Sequence, residues 1–352
     1  MSKFLRFLLW LIAILIIIPG ILILIGTITN YEPDKVSRIE VSASPEVLLE
    51  DAEIDLMIWN IGYSGLDASM DFFYDGGDQV RPSKENVFRN LEAIRTFLGD
   101  NDSIEYFLLQ EVDVESKRSY RLNQYDSISS TLSEYHNYLA LNYKVFFVPL
   151  PVINPMGRVV SGLGSYSKYQ PSVVRRYSFP GNYEWPKNLF MLDRCFLVTR
   201  HPLENEKELI IINTHNSAYD DGTLREKQMQ YLKGFLLEEY QKGNYIVVGG
   251  DWNQSPPGFE EKFEDQVLDT INYSEISKDY LPEGWMWAYD ESMPTNRRVA
   301  NVYERGTTPT ALIDYFLVSP NIHVESITGI DMNFRYSDHQ PVILKVRING
   351  VR

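Results

Sequence analysis

Short apolar runs, each closing on a polar residue, recur from residue 54 to residue 346, and no other feature restricts the fold as tightly. They occupy 54–60, 106–110, 143–148, 162–167, 195–199, 209–213, 245–249, 312–318 and 341–346. β-Branched and aromatic residues dominate them and turn-formers bound them, the pattern of short buried strands. Helical periodicity is rarer. Residues 85–98 place Val87, Leu91, Ile94 and Leu98 on one face, 223–239 repeat this with Leu224, Met229, Leu232, Leu236 and Leu237, and 123–132 form a weaker third helix. No Gly-rich dinucleotide fingerprint follows the first strand, so a simple Rossmann unit is excluded. The pattern predicts an α/β fold in which sheets pack on each other with helices outside.

The N-terminus follows another rule. No charge occurs between Arg6 and Glu32, and Phe7 to Ile25 is almost wholly apolar, interrupted by Pro19-Gly20. At about 1.5 Å per residue this run is roughly 28 Å long, enough to cross a bilayer core. Gly26-Thr27-Ile28-Thr29 offers no small-residue cleavage pattern, so an uncleaved anchor is expected rather than a signal peptide. Lys3 and Arg6 precede the span, and the positive-inside bias then places the large domain on the non-cytoplasmic side. The expected organisation is a tail and anchor over 1–29, a polar tether over 30–50 and a catalytic domain over 51–352. As a free coil the tether would reach roughly 25 Å.

Charge and cysteine content narrow the function. The chain carries −15, and Lys3 and Arg6 are the only charges in residues 1–29, so the remainder carries −17. Phosphate neutralisation by a basic surface is therefore disfavoured, and nucleic acid is the less favoured substrate. Cys195 is the sole cysteine, which excludes an internal disulfide and a Cys-based zinc site.

The chemistry-bearing residues sit at strand ends. Asn60 closes Met57-Ile-Trp-Asn60, Gln110-Glu111 follows Phe107-Leu-Leu, and Asn213-Thr-His215-Asn216 follows Leu209-Ile-Ile-Ile. Gly249-Gly-Asp251-Trp-Asn253 follows Ile246-Val-Val, Asp314 lies inside Leu312-Ile-Asp-Tyr-Phe-Leu-Val-Ser319, and Ser337-Asp338-His339-Gln-Pro341 opens the last strand. Brought to one sheet edge, these carboxylates repel one another unless a divalent cation neutralises them. All-oxygen ligands select Mg²⁺ or Mn²⁺, and neighbouring histidines supply acid–base capacity.

Taken in order, these segments resemble the endonuclease/exonuclease/phosphatase superfamily, and the chain is similar to a membrane-anchored, bacterial-type member. Gly162-Leu-Gly-Ser-Tyr-Ser167-Lys168 resembles a further family strand, with Lys168 where arginine is usual. The resemblance covers about residues 51–348. It implies a four-layer sandwich of two mixed β-sheets flanked by helices, as in deoxyribonuclease I. It also implies roles. Glu111 would be the principal metal ligand, helped by Asn60 and Asp338. Asp251 would orient or deprotonate water, and Asn253 would bind the transferring phosphoryl group. His339 would act as base or charge stabiliser with its tautomer set by Asp314, and His215 would donate to a phosphate oxygen. The acid that partners the His215 equivalent in the secreted nucleases has no counterpart near Tyr143, and no 5-phosphatase substrate signature is evident.

Arg118 and Arg194 are candidate substrate-phosphate contacts, each against a structural ion-pair reading. His136, His201 and His323 lack comparable context and read as surface or loop residues. The 285–289 aromatics read as packing, and the 70–77 loop lies on the site side in such a fold. The expected function is a metal-dependent phosphohydrolase, with a phosphodiester favoured in a lipid head group or a small soluble phosphate. A nuclease and a catalytically dead, membrane-tethered binding protein are the alternatives. The second would have lost one of Glu111, Asp251, Asn253, Asp338 or His339, and all are present.

Overall fold

The computed structural model of the chain describes residues 2–218, 222–260, 263 and 274–348. In chain order the strands are β1 (Val36–Ile39), β2 (Glu53–Asn60), β3 (Tyr106–Asp113), β4 (His136–Val148), β5 (Gly157–Ser167), β6 (Val173–Ser178), β7 (Cys195–Pro202) and β8 (Glu208–His215). They continue with β9 (Tyr245–Asp251), β10 (Met286–Ala288), β11 (Asn296–Arg297), β12 (Thr310–Ala311), β13 (Asp314–Val318), β14 (Ile322–Gly329) and β15 (Val342–Ile348). The α-helices are α1 (Lys3–Ile28), α2 (Lys84–Asp100), α3 (Gln124–Thr131) and α4 (Thr223–Gln241).

Two mixed sheets form the body. One runs β1-β6-β7-β8-β9-β13-β10, the other β14-β15-β2-β3-β5-β4, and a short β11-β12 ribbon lies apart. The parallel pairs are β2–β3 and β8–β9; the other pairs within the two large sheets are antiparallel. Leu56, Ile58 and Leu108 of one sheet meet Ile211, Val247 and Phe316 of the other in a single buried cluster. Each such side chain contributes about 1.5–3 kcal/mol on leaving water. α2 and α3 cover the outer face of the six-stranded sheet, and α4 covers that of the seven-stranded one. The four-layer arrangement is the one the resemblance implied.

The helices follow their sequence signals. Ser83 caps α2, its hydroxyl accepting from the Asn86 amide at 3.1 Å, and Val87, Leu91, Ile94 and Leu98 are buried as the periodicity predicts. On α4, Leu237 is only half-buried. Glu239 is buried instead, through its ion pair with Arg200 at 2.7 Å. α1 is long and apolar enough to cross a membrane, and Ser2 caps its first turn.

Two readings are corrected. Residues 30–50 are not a free coil, because Val36–Ile39 pairs antiparallel with β6 as an edge strand and Leu48 is buried in the inter-sheet core. A four-residue strand among polar neighbours is too short for its period to show. His201 is not a surface residue. It is fully buried, with Nε2 at 3.1 Å from Thr199 Oγ1 and the ring edge-on to Tyr106 at 5.2 Å.

Burial holds His201 neutral in the fold, pushing its pKa down to about 3. The unfolded chain therefore binds one more proton between about pH 3 and 6.5, and stability falls with acidification across that window. His201→Gln is expected to make urea stability less steep between pH 6 and pH 4 by about 1.4 kcal/mol per pH unit. An unchanged slope would mean that another buried group drives acid destabilisation.

Candidate active site

The site forms where β2, β3, β8 and β9 end and β13 begins on one side of the packed sheets, joined by the turn that precedes β15. Gly249 permits the close approach: a Cβ there would meet Ile58 Cγ2 and Phe316 Cε1 at 2.6 Å. Below it, Gln110 Nε2 donates to Asn213 Oδ1 at 2.7 Å, and Asn213 Nδ2 donates to the Leu109 and Gly164 carbonyls at 3.1 Å, tying the two sheets together.

At the centre stands Asp251. Its Oδ2 accepts from Asn60 Nδ2 at 3.0 Å and lies 3.3 Å from His215 Nε2 and 3.7 Å from His339 Nε2. Oδ1 accepts from the backbone amide of Asn253, whose positive φ of 51° turns the chain so that its Nδ2 reaches the Asn216 carbonyl at 3.0 Å. Burial, with Asp314 adding to it against His339, raises the Asp251 carboxyl to about 6.

His339 Nδ1 is 2.8 Å from Asp314 Oδ2, and Asp314 is fully buried in β13 beside Asp251. Burial disfavours the imidazolium, but Asp314, Asp338 and Asp251 outweigh it and hold the ring up at about 10. Asn296 Nδ2 at 3.0 Å and Asn60 Nδ2 at 3.4 Å from Nε2 suit the neutral ring. Three carboxylates outweigh two neutral amides in favouring the protonated ring. The oxygen and nitrogen atoms of Asp251, Asp314 and His339 lie within 4.8 Å of one another, but the Asp314–His339 bond occupies the facing atoms.

Glu111 and Asp338 lie on the same cleft. Glu111 sits at a β-bulge in the β3–β5 pairing with φ 56°, which aims its carboxylate away from the ladder. Arg118 Nη2 approaches Glu111 Oε2 at 3.6 Å. Asp338 is pushed up to about 7 by burial and by Glu111. Gly62 makes room for it, since a Cβ there would stand 2.7 Å from Asp338 Oδ1.

The two arginines differ. Arg118 makes a two-pronged ion pair with Asp113 at 2.9 and 3.1 Å and stacks on the Tyr63 ring at 3.8 Å, so it braces Glu111 from a structural position. Arg194 lines the cleft, and its buried Nη1 has no partner among the described residues. Burial lowers its pKa against the pull of Asp251 and Glu111. His215 is held well below its ordinary value by burial, with Arg194 and His339 adding to it, and its Nδ1 finds no acceptor among the described residues.

All ten residues singled out in the sequence converge here: nine of them, Arg118 and Arg194 included, line one cleft of about 1630 Å³, and Asp314 stands behind His339. Asn296 and Ser337 were missed as site residues. Asn296 lies in a two-residue strand with no periodic signal and reaches His339 only through the tertiary fold. The 285–289 aromatics pack as read, with Trp287 edge-on to Trp252 at 5.2 Å.

The endonuclease/exonuclease/phosphatase family pattern matches residues 57–339. The chain belongs to this family. Solved structures agree on the fold. An endonuclease/exonuclease/phosphatase from Beutenbergia cavernae is 17% identical with a TM-score of 0.52, covering 85% of this chain and 72% of that one. ANGEL2, described as a 2',3'-cyclic phosphatase, is 15% identical with a TM-score of 0.52 over 92% and 100% of the two chains. The D. rerio protein TDP2, complexed with a single-strand DNA product, is 12% identical with a TM-score of 0.53 over 84% and 99%. No curated protein matches the chain.

Proposed function

We propose that the protein is a membrane-anchored, divalent-metal-dependent phosphohydrolase, acting on a phosphodiester for preference. The observation that carries this reading is the Asp314–His339 pair packed against Asp251 and Asn60 at a cleft that Glu111 and Asp338 also line. The donor set fits Mg²⁺ or Mn²⁺. Glu111, Asp338 and the Asn60 amide oxygen are hard oxygen donors, and burial with Glu111 raises Asp338 against the pull of His339 and Arg297, so a further cation there would be favourable. Such an ion supplies charge neutralisation at the phosphoryl oxygens and at this acidic wall.

The remaining work falls to the chain. Above about pH 6 the Asp251 carboxylate is ionised and its Oδ2 can take a proton from water held against Asn60. Cationic His339, fixed by Asp314, stabilises negative charge growing on phosphate from Nε2. Asn253 and neutral His215 donate to phosphate oxygens, and Arg194 offers its unpaired guanidinium edge. Within this reading, residues 1–29 form the tail and anchor, the catalytic domain begins near residue 30 with β1 rather than at 51, and the domain lies on the non-cytoplasmic side.

A panel of sphingomyelin, phosphoinositides, phosphatidylglycerol, plasmid DNA and a soluble bis(p-nitrophenyl) phosphate, each with Mg²⁺ or chelator, tests the proposal with His339→Ala as the blank. Metal-dependent release of phosphate or alcohol from at least one ester is expected, and none from the blank. Activity that survives chelation, or in the blank, overturns it.

A further inference from the structure

The mouth of the cleft carries an apolar rim next to the point where α1 leaves the domain. The turn joining β4 to β5, residues 149–156, exposes Leu150 at 48%, Val152 at 80% and Ile153 at 99%, and Trp185 is 64% exposed. None of these is loose chain. Arg81 Nη2 donates to Asn154 Oδ1 at 2.7 Å and to the Pro155 carbonyl at 2.8 Å, Lys117 Nζ donates to the same carbonyl at 3.2 Å, and the Met156 amide donates to the Leu150 carbonyl at 3.0 Å. With the turn's polar groups bound inward, Val152 and Ile153 are held out toward solvent, where nothing among the described residues covers them. Isolated exposed apolar residues are ordinary, but a fixed apolar tip on the rim of a cleft marks an interaction surface.

The anchor identifies what covers it. α1 packs on β4 and on the 187–190 turn: a Cβ on Gly26 would touch Leu189 at 3.5 Å, and Trp185 Nε1 lies 3.5 Å from Thr27 Oγ1. Tyr31 follows the helix and stacks under Lys144 at 4.9 Å, and Lys187 stands over Tyr183 at 3.8 Å. Aromatic rings paired with lysines where a membrane-crossing helix emerges are the composition of a bilayer interface. Leu150, Met156, Tyr183, Lys187 and Phe190 line the same cleft as Asp251 and His339. The helix exit, the apolar tip and the cleft mouth are therefore continuous.

We propose that the 149–156 tip and Trp185 dock on the bilayer that α1 crosses and seat the cleft mouth on the lipid head groups, so that the substrate is a phosphoester carried by a membrane lipid. This deepens the proposed hydrolysis and rests on it for chemistry, and on α1 as an anchor for position. Water adds to the head-group phosphorus and gives one proton to Asp251, one ester P–O bond breaks with its electron pair leaving on the alkoxide, and the alkoxide takes up a proton, from solvent water or from Asp251, so that water is consumed and one alcohol released.

The test uses the full chain in vesicles of phosphatidylcholine and phosphatidylglycerol. Cys195 is the only cysteine and is buried, so Ile153→Cys accepts a nitroxide at one site. His323→Cys, exposed on β14 at the opposite edge of the sheet from β4, is the control. Docking predicts that the label at 153 is relaxed by oxygen and shielded from a water-soluble nickel chelate, and the label at 323 the reverse. Nickel access at 153 overturns the proposal. Equal shielding in detergent with cross-linking between Ile153→Cys chains also overturns it, because the tip would then cover a second copy. Val152→Asp with Ile153→Asp is expected to leave Mg²⁺-dependent hydrolysis of bis(p-nitrophenyl) phosphate unchanged and to slow hydrolysis of the vesicle lipid by at least about tenfold. An equal rate on vesicles overturns docking, and a wild type that cleaves the soluble ester but no vesicle lipid overturns the substrate class. A wild type inactive on every ester instead removes the proposed hydrolysis, while the nitroxide result still decides docking.

Discussion

Replacing Glu111 by alanine is expected to abolish Mg²⁺-dependent hydrolysis while changing the stability of the metal-free protein by no more than about 1 kcal/mol. The residue sits at a bulge with φ 56°, a conformation equally strained for alanine, so the backbone gains nothing and loses nothing. Its carboxylate adds to the repulsion that holds Asp338 up, and losing that repulsion stabilises the metal-free fold. The 3.6 Å attraction to Arg118 is lost as well, which opposes the gain, but Arg118 keeps its two-pronged pair with Asp113. The clearest readout is thermal. A wild type that binds Mg²⁺ gains about 2.7 kcal/mol at roughly 100 times its Kd, and the variant should show no such rise in Tm. Retained turnover, or a retained Mg²⁺-dependent Tm shift, would remove Glu111 from the metal site.

Asp314→Asn should cost about 10²–10⁴ in kcat and narrow the pH range of activity from the alkaline side. Wild-type activity is expected to rise as Asp251 ionises near pH 6 and to fall as His339 loses its proton near pH 10, the two limbs belonging to the interacting pair. Burial already works against the His339 cation, and Asp314 is the strongest carboxylate opposing it. Once Asp314 is neutral, the imidazolium is less favoured and the alkaline limb moves to lower pH by at least about one unit. Asparagine can also present the wrong group to Nδ1, which accounts for the loss in kcat. A kcat–pH profile on soluble ester checks both. An alkaline limb that stays in place would assign it to another group and leave Asp314 a structural role.

The polar ends of β2, β3, β8 and β9 were legible because a strand that must bury both faces leaves only its ends for chemistry, so a polar residue there has few other uses. The same reasoning exposed Asp314, since a carboxylate inside an apolar strand needs a partner. Other elements carried no such signal. β1, β6, β10, β11, β12 and β14 are short, sit at sheet edges or mix polar and apolar residues, so the two-residue period is weak in them. His201 was misread because a histidine in a strand looks the same whether it faces solvent or the Tyr106 ring.

What the chain alone determined is the set of chemical parts and their order: Asn60, Glu111, His215, Asp251, Asn253, Asp314, Asp338 and His339, each beside an apolar run that dictates a strand, and an apolar N-terminal helix. Local pattern determines these because burial and backbone pairing act on neighbours a few residues apart. The tertiary structure decided which parts touch. Asn296 reaches His339, Arg118 braces Glu111 while Arg194 stays open, β1 ties the segment after α1 to the sheet, and the 149–156 turn lines one cleft with the 187–190 turn on which α1 packs. Apart from Arg118 and Glu111, these contacts join residues about 40 to 140 positions apart, and only the tertiary fold, which no local period encodes, brings them together.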